Sequence, residues 1–230
     1  MSLDLMYKHC PTSIEEMALY PLLRQALNRL YNNGHKHLLL YGGTGTGKTT
    51  AARILASRID DDYIEFDCSL NNTRDDFLNL RDKIIKDSTS MWRVFSTASK
   101  PRCIILDEFH DLPNEIQNLW KKTLEDKLFR ENATCIICVN ALEDVVPPII
   151  SRCQEKLPFD VGFIRNGKFV SNPVAKIKKQ EWKEEIFNAV LIATKKAKVE
   201  VPKKTLNYIA EDSVSLVDIR EFLSAVESKI

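Results

Sequence analysis

The residue types from Gly42 to Thr49, Gly-Gly-Thr-Gly-Thr-Gly-Lys-Thr, are those of a phosphate cradle. Glycines at 42, 45 and 47 let the backbone turn tightly and bring its N–H groups up to anionic oxygens. A helix starting at Lys48 adds unpaired N–H donors and the positive end of a dipole. Lys48 can reach β- and γ-phosphates, and the Thr49 hydroxyl can ligate Mg²⁺. The pattern G-x-x-x-x-G-K-[ST] draws its meaning from its flanks. Here the apolar run His37–Tyr41 predicts a strand before it, and Thr50–Ala56 a helix after it.

A second constellation lies at Ile104-Ile105-Leu106-Asp107-Glu108. An apolar strand that delivers Asp and then Glu at its C-terminal end suits nucleotide hydrolysis. Asp107 can hold the water shell of Mg²⁺, and Glu108 can orient and deprotonate an attacking water. Asn140, at the end of the apolar stretch Thr134–Val139, offers an amide to the same water or serves as a plain turn residue.

These groups need a scaffold, and the chain alternates to supply one. Apolar spacing from Ser13 to Leu30 predicts two helices divided at Pro21. Strands are expected at 37–41, 63–67, 103–107 and 133–139, with an edge strand at 155–159. Helices are expected after the glycine loop, from Thr73, over 90–98, from Pro113 to about Lys127, and from Pro147 to Ser151. The fold class is therefore α/β, a five-stranded parallel sheet with helices on both faces and a small C-terminal helical domain. The expected division is 1–161 for the α/β domain, 162–180 for a linker or small hairpin, and 181–230 for the helices.

The sequence is 44% hydrophobic and 28% charged with net charge +1, so a packed core is expected and global disorder is not. A neutral balance does not announce a nucleic-acid binder, yet leaves room for a local basic surface. Six cysteines show no recurring metal-ligand spacing. Cys135-Ile136-Ile137-Cys138 reads as a C-x-x-C pair or as buried thiols, and its setting in an apolar strand favours the thiols. No basic-then-apolar leader opens the chain, and its apolar runs are too short to cross a bilayer. A cytoplasmic protein without membrane contact is expected.

With these motifs in order, the chain resembles an AAA+ ATPase, and within that group clamp-loader subunits of the replication factor C and phage type. Asn140 matches the family's sensor-1 position. Pro147–Cys153 carries its Ser-Arg-Cys motif at Ser151-Arg152-Cys153. Gln117–Glu125 resembles the Q-x-x-L-R-R-x-M-E helix, with Trp120 for leucine and Lys121 and Lys122 for the arginines. Leu216–Arg220 resembles the sensor-2 segment, with Val217 for glycine. Tyr7–Pro11 stands where clamp loaders carry K-Y-R-P and keeps the lysine and proline.

The resemblance implies a P-loop AAA+ sheet, a helical lid, and ATP with Mg²⁺ bound between subunits of a ring or spiral. Gly42, Gly43, Thr44, Gly45, Thr46, Gly47, Lys48, Thr49 and Thr50 would hold the phosphates, and Thr49 and Asp107 the Mg²⁺. Tyr7, His9 and Met17 would face the adenine, and Arg220 would reach the nucleotide from the lid. Lys48, Glu108 and Asn140 would act in cis, and Arg152 in trans on a neighbour's ATP. Gln117 and Lys121 would lie at the contact between subunits. Arg74, Arg81 and Lys83 would follow the DNA backbone, against the alternative of an ordinary solvated face interleaved with Asp75, Asp76 and Asp82. The implied partners are other loader subunits, a sliding clamp and primer–template DNA. The family's third domain, a C-terminal collar, is not expected within these 230 residues. Rival readings are another AAA+ replication ATPase such as a helicase loader, and a nucleotide-gated adaptor that does not hydrolyse.

Overall fold

A computed structural model describes residues 10–33, 37–88, 101–166, 168–209, 211 and 217–228. The chain divides into two compact units. One takes Leu30–Tyr41 and Ala52–Leu157; the other takes the chain up to Arg29, Gly42–Ala51 and everything from Pro158.

The first of these units is built on the sheet. Its strands are β1 (His37–Tyr41), β2 (Ile64–Asp67), β3 (Arg102–Asp107), β4 (Ala133–Val139) and β5 (Glu155–Pro158), in the order β2-β3-β4-β1-β5. The pairings β1–β4, β2–β3 and β3–β4 are parallel, with Leu39 opposite Ile137 and Ile104 opposite Cys135. β1, β3 and β4 are near-continuous apolar runs because both of their faces are covered. Leu39, Ile104, Leu106, Cys135 and Ile137 join a core with Phe77, Trp120 and Phe129. Leu38, Leu40, Ile105 and Ile136 point the other way and are equally buried.

Helix α1 (Pro21–Asn33) precedes β1, and α2 (Lys48–Ile59), α3 (Arg74–Ser88), α4 (Asn114–Glu125), α5 (Lys127–Asn132) and α6 (Pro147–Arg152) separate these strands. Helix α3 starts as the sequence suggests. The Thr73 hydroxyl accepts from Asp76 N at 3.2 Å while the Asp76 carboxylate accepts from Thr73 N at 3.1 Å, a reciprocal cap. The single helix expected from Pro113 to Lys127 is instead broken at Asp126. That residue has a non-helical ψ of 129°, and its carboxylate accepts the Phe129 N–H at 3.0 Å, so it starts α5 rather than continuing α4. A buried ion pair ties the far end of β3: Arg102 donates to Asp60 at 3.1 Å, and also to the exposed Asp62 at 3.2 Å.

In the second unit the helix expected before Pro21 is reduced to one 3₁₀ turn, Ile14–Glu16. Glu16 turns back to accept from Thr12 N at 2.7 Å, Met17 is extended, and a residue preceding proline avoids helical angles. Pro21 then opens α1, where its missing N–H is harmless. Arg24 fastens the turn by donating to the carbonyls of Ile14 and Met17, and it pairs with Glu185 at 2.5 Å. β6 (Gly162–Arg165) and β7 (Lys168–Ser171) form an antiparallel hairpin in the stretch expected to be a linker or a small hairpin. Helices α7 (Lys179–Ala197), α8 (Lys203–Ile209) and α9 (Ile219–Glu227) follow, burying Trp182, Ile186, Leu206, Phe222 and Val226. The helix expected over 90–98 lies outside the described residues. Among the described residues no helix is long and apolar enough to cross a membrane.

Candidate functional site

The glycine loop adopts the backbone its composition demands. Gly45 has φ of +73°, and a Cβ there would stand 1.8 Å from the Asp218 carboxylate, so conformation and space both exclude a side chain. Gly42, at φ +147°, is pressed against Asp160 in the same way. Lys48 is buried and donates to the Gly42 and Gly43 carbonyls at 2.6 and 2.8 Å. The Thr46 hydroxyl donates to the Gly43 carbonyl at 2.9 Å.

Two carboxylates that no motif assigns support this loop. The Asp160 side chain accepts the Gly43 N–H at 2.7 Å. Asp218 caps α9 by accepting the Arg220 N–H at 2.8 Å, and the next amide, Ile219 N, donates to the Gly45 carbonyl at 3.2 Å. The start of α9 is thereby docked on the loop, and the half-exposed Arg220 lies 3.5 Å from Asp218. Met17 is buried with its methyl against Gly47. Thr50 Oγ1 lies 3.9 Å from Cys10 Sγ. Tyr7 and His9 lie outside the described residues.

The acid pair lies in the sheet-bearing unit, at the carboxyl ends of the strands. Asp107 ends β3 in register with Asp67 of β2. Glu108 is left-handed at φ 50° and ψ 40°, a conformation that costs a non-glycine residue about 1–2 kcal/mol. It opens a 3₁₀ turn, Phe109–Asp111, closed by Asp111 N donating to the Glu108 carbonyl at 2.9 Å and anchored by the fully buried Phe109. His110 projects from this turn. Its Nε2 lies 3.4 Å from a Glu108 oxygen, 3.7 Å from an Asp111 oxygen and 3.0 Å from the Asn140 amide nitrogen. Asn140 and Glu108 are thus brought to one imidazole. Neither strand spacing nor composition signals that role for His110; only its place two residues after Glu108 hints at it.

Burial pushes the nearby Cys68 thiol strongly upward, and the negative charges of Asp107, Asp67, Asp111 and Glu108 push the same way. Asp67 is held below the usual carboxylate range, chiefly by the Ser69 hydroxyl. Cys135 and Cys138, three apart on β4, face opposite sides of the sheet and cannot close on one ion. Among the described residues no group of three His, Cys, Asp or Glu side chains is arranged to hold a metal. That is compatible with Mg²⁺, which takes few protein ligands and keeps waters and phosphate oxygens.

Arg152, the last residue of α6, pairs with Glu125 and donates to the Pro148 carbonyl. Gln117, expected at a contact between subunits, is instead 1% exposed. Its amide is engaged inside the chain, because the backbone groups of two loops need partners there. Lys121 stays partly exposed. On α3, Arg74 and Lys83 are exposed and Arg81 pairs with Asp82 at 2.9 Å.

A model of the "ATPase family associated with various cellular activities (AAA)" matches residues 38–161, more than half of the chain. The chain belongs to the AAA family of ATPases. Membership implies ATP binding, and the buried lysine with its three positive-φ glycines suits a polyphosphate. Within curated proteins this AAA domain is 30% identical over 154 residues to the probable replication factor C subunit 5 of Dictyostelium discoideum, a match taking in 66% of this chain and 44% of that protein. It is 29% identical over 148 residues to replication factor C subunit 3 of Saccharomyces cerevisiae, taking in 64% and 42% respectively. The chain spans about half the length of the curated relatives it matches. In fold the AAA domain is similar to the RuvB Holliday junction branch migration motor of Thermotoga maritima, with a TM-score of 0.62 at 20% identity over 90% of this chain and 58% of that one. It is also similar to domain III of the replication initiation protein DnaA from the same organism, with a TM-score of 0.57 at 17% identity over 94% and 85%. These structural likenesses establish the fold alone.

Proposed function

We propose that this AAA domain is the ATP-hydrolysing part of a sliding-clamp loader subunit that acts on primed DNA. The observation that carries this reading is the relationship to replication factor C subunits. Lys48 and the loop amides would hold the β- and γ-phosphates, and Thr49 and Asp107 the Mg²⁺, which supplies charge neutralisation on the transferred phosphate. Glu108 would take a proton from the attacking water, with Asn140 positioning that water. Arg220 would meet the nucleotide from the helical segment. Arg152, the last residue of α6, would serve a neighbouring subunit's ATP. Other loader subunits, a clamp and primer–template DNA are the partners, with Arg74, Arg81 and Lys83 as phosphate contacts of no sequence preference.

The test is the ATPase rate against protein concentration, with and without primer–template DNA, for the wild type, Glu108→Gln and Arg152→Ala. The reading expects a rate that climbs cooperatively, rises with DNA, and is lost in both variants while ATP still binds. A rate independent of concentration, of DNA and of Arg152 overturns it and leaves a solitary ATPase.

A further inference from the structure

We propose that Asp160 is a positioning residue for nucleotide binding: its carboxylate fixes which way the peptide between Gly42 and Gly43 faces, and so keeps that carbonyl on Lys48. The proposal rests on the reading given above of Lys48 and the glycine loop as the phosphate site.

That peptide is gripped from both sides. Its N–H, on Gly43, donates to Asp160 Oδ1 at 2.7 Å. Its carbonyl, on Gly42, accepts from Lys48 Nζ at 2.6 Å. In a trans peptide the N–H and the carbonyl point in opposite directions, so the two grips fix one orientation. The next carbonyl, on Gly43, accepts from Lys48 at 2.8 Å and from the Thr46 hydroxyl at 2.9 Å. The ammonium of the buried Lys48 is thus seated on two successive carbonyls, and Asp160 holds the first of them in place.

An anchor is needed because glycine stands on both sides of this peptide. A flip of its plane turns ψ of the residue before it and φ of the residue after it, and a positive φ costs glycine little. Gly43 is not among the loop glycines with positive φ, and the flip would carry it there. The flipped Gly42 carbonyl would leave Lys48 and face the Asp160 carboxylate, oxygen against oxygen. Asp160 therefore holds one orientation and repels the other. It also stands close to the backbone. A Cβ on Gly42, where φ is +147°, would lie 3.0 Å from Asp160 N and Oδ1, whereas one on Gly43 would make an ordinary contact at 3.5 Å. Conformation and crowding both oppose a side chain at position 42, and neither opposes one at position 43.

The first measurement is the Gly43 amide signal in nucleotide-free full chain labelled with ¹⁵N-glycine, a spectrum of seven glycines. The signal is assigned by its loss in Gly43→Ala. Asp160→Ala removes the acceptor, so the Gly43 amide proton should move upfield and exchange faster with water. A Gly43 signal unchanged in that variant overturns the proposal. The second measurement is affinity for a fluorescent ATP analogue. Asp160→Ala should weaken it about tenfold, the equivalent of one hydrogen bond to a charged group. Asp160→Asn, whose amide oxygen still accepts the N–H, should lose less. Adding Gly43→Ala to Asp160→Ala should recover most of the loss, since alanine resists the positive φ of the flipped peptide. Affinity of Asp160→Ala within about twofold of the wild type overturns the proposal. So does equal loss in the two Asp160 variants, or no recovery in the double variant, at unchanged melting temperature. If Lys48→Ala binds the analogue as tightly as the wild type, the phosphate reading falls, while the Gly43 signal still judges the anchor.

Discussion

The Gln117 side-chain carbonyl accepts the Val146 N–H at 2.9 Å, while its NH₂ donates to the carbonyls of Leu112 at 3.1 Å and Asp144 at 3.2 Å. One buried amide thus fastens the end of the acid turn to the loop that leads into α6. Gln117→Ala strands one buried and two part-buried backbone groups at once. The expected cost is about 3 kcal/mol, a fall in melting temperature of about 6–12 °C. A calorimetric scan of the variant checks it, and a change of under about 2 °C contradicts the assignment.

Arg102 and Asp60 form a pair that is nearly inaccessible to water, and Asp60 also accepts the Cys103 N–H at 3.1 Å. Arg102→Leu leaves an uncompensated carboxylate inside the sheet-bearing unit, an expected loss of about 3–5 kcal/mol. Adding Asp60→Leu to that variant should restore part of it, since the pair together is worth less than its broken half. Urea titrations of both variants read the difference.

Burial pushes the Cys103 and Cys153 thiols up to about 12 and the Cys135 thiol well above its ordinary value. A folded-state pKa raised above that of the unfolded chain stabilises fully below about pH 9, and that stability is lost as pH rises toward 12. Each such thiol steepens the alkaline decline by about 1.4 kcal/mol per pH unit. Denaturant melts between pH 8 and 11 should show it, and Cys103→Ser should flatten the slope by one thiol's share.

Gly45→Ala meets two penalties, a positive φ and an overlap with the Asp218 carboxylate. It should undock the start of α9 and weaken nucleotide binding about tenfold or more. Adding Asp218→Gly removes the overlap but not the φ penalty. That double variant should recover affinity in part, and a fluorescent ATP analogue would report how much.

Arg152 is drawn to Glu125 within its own chain. Both side chains are partly exposed, so the pair is worth about 1 kcal/mol or less. Glu125→Gln should leave the melting temperature almost unchanged. If Arg152 serves a neighbouring subunit, the same change should raise the assembled ATPase rate by up to about fivefold, since the arginine no longer has a competitor at home.

Much of this molecule was legible from spacing alone. Unbroken apolar runs placed β1, β3 and β4, and the Pro147 start followed from turn chemistry, while the stretch after Gly162 read equally as a linker or a hairpin. The glycine loop was legible because its demands are local: a positive φ at Gly45 is written in the residue type. What escaped notice depends on partners remote in sequence. Asp160 reaches Gly43 across 117 residues, and nothing around Phe159 advertises it. Gln117 resembled an interface residue by motif, yet its amide answers backbone groups that only the fold brings near. Asp126 ended α4 because its carboxylate prefers capping Phe129, a choice that helical periodicity cannot register.

The pairing of β1 with β4 also sets a schedule. His37 lies opposite Cys135, and Cys135 N donates to the His37 ring at 3.3 Å across 98 residues of chain. The strand that hands the backbone to the glycine loop therefore has no neighbour on that side until β4 has been synthesised. During translation the segment up to Tyr41 would leave the ribosome long before it could be paired, as an apolar strand with two open edges. Folding of this sheet is expected to be slow, with β1 inserted between β4 and β5 only once both have emerged. Nascent chains stalled before residue 133 should be sensitive to proteases at Leu38–Tyr41, and chains stalled well past residue 157 should not.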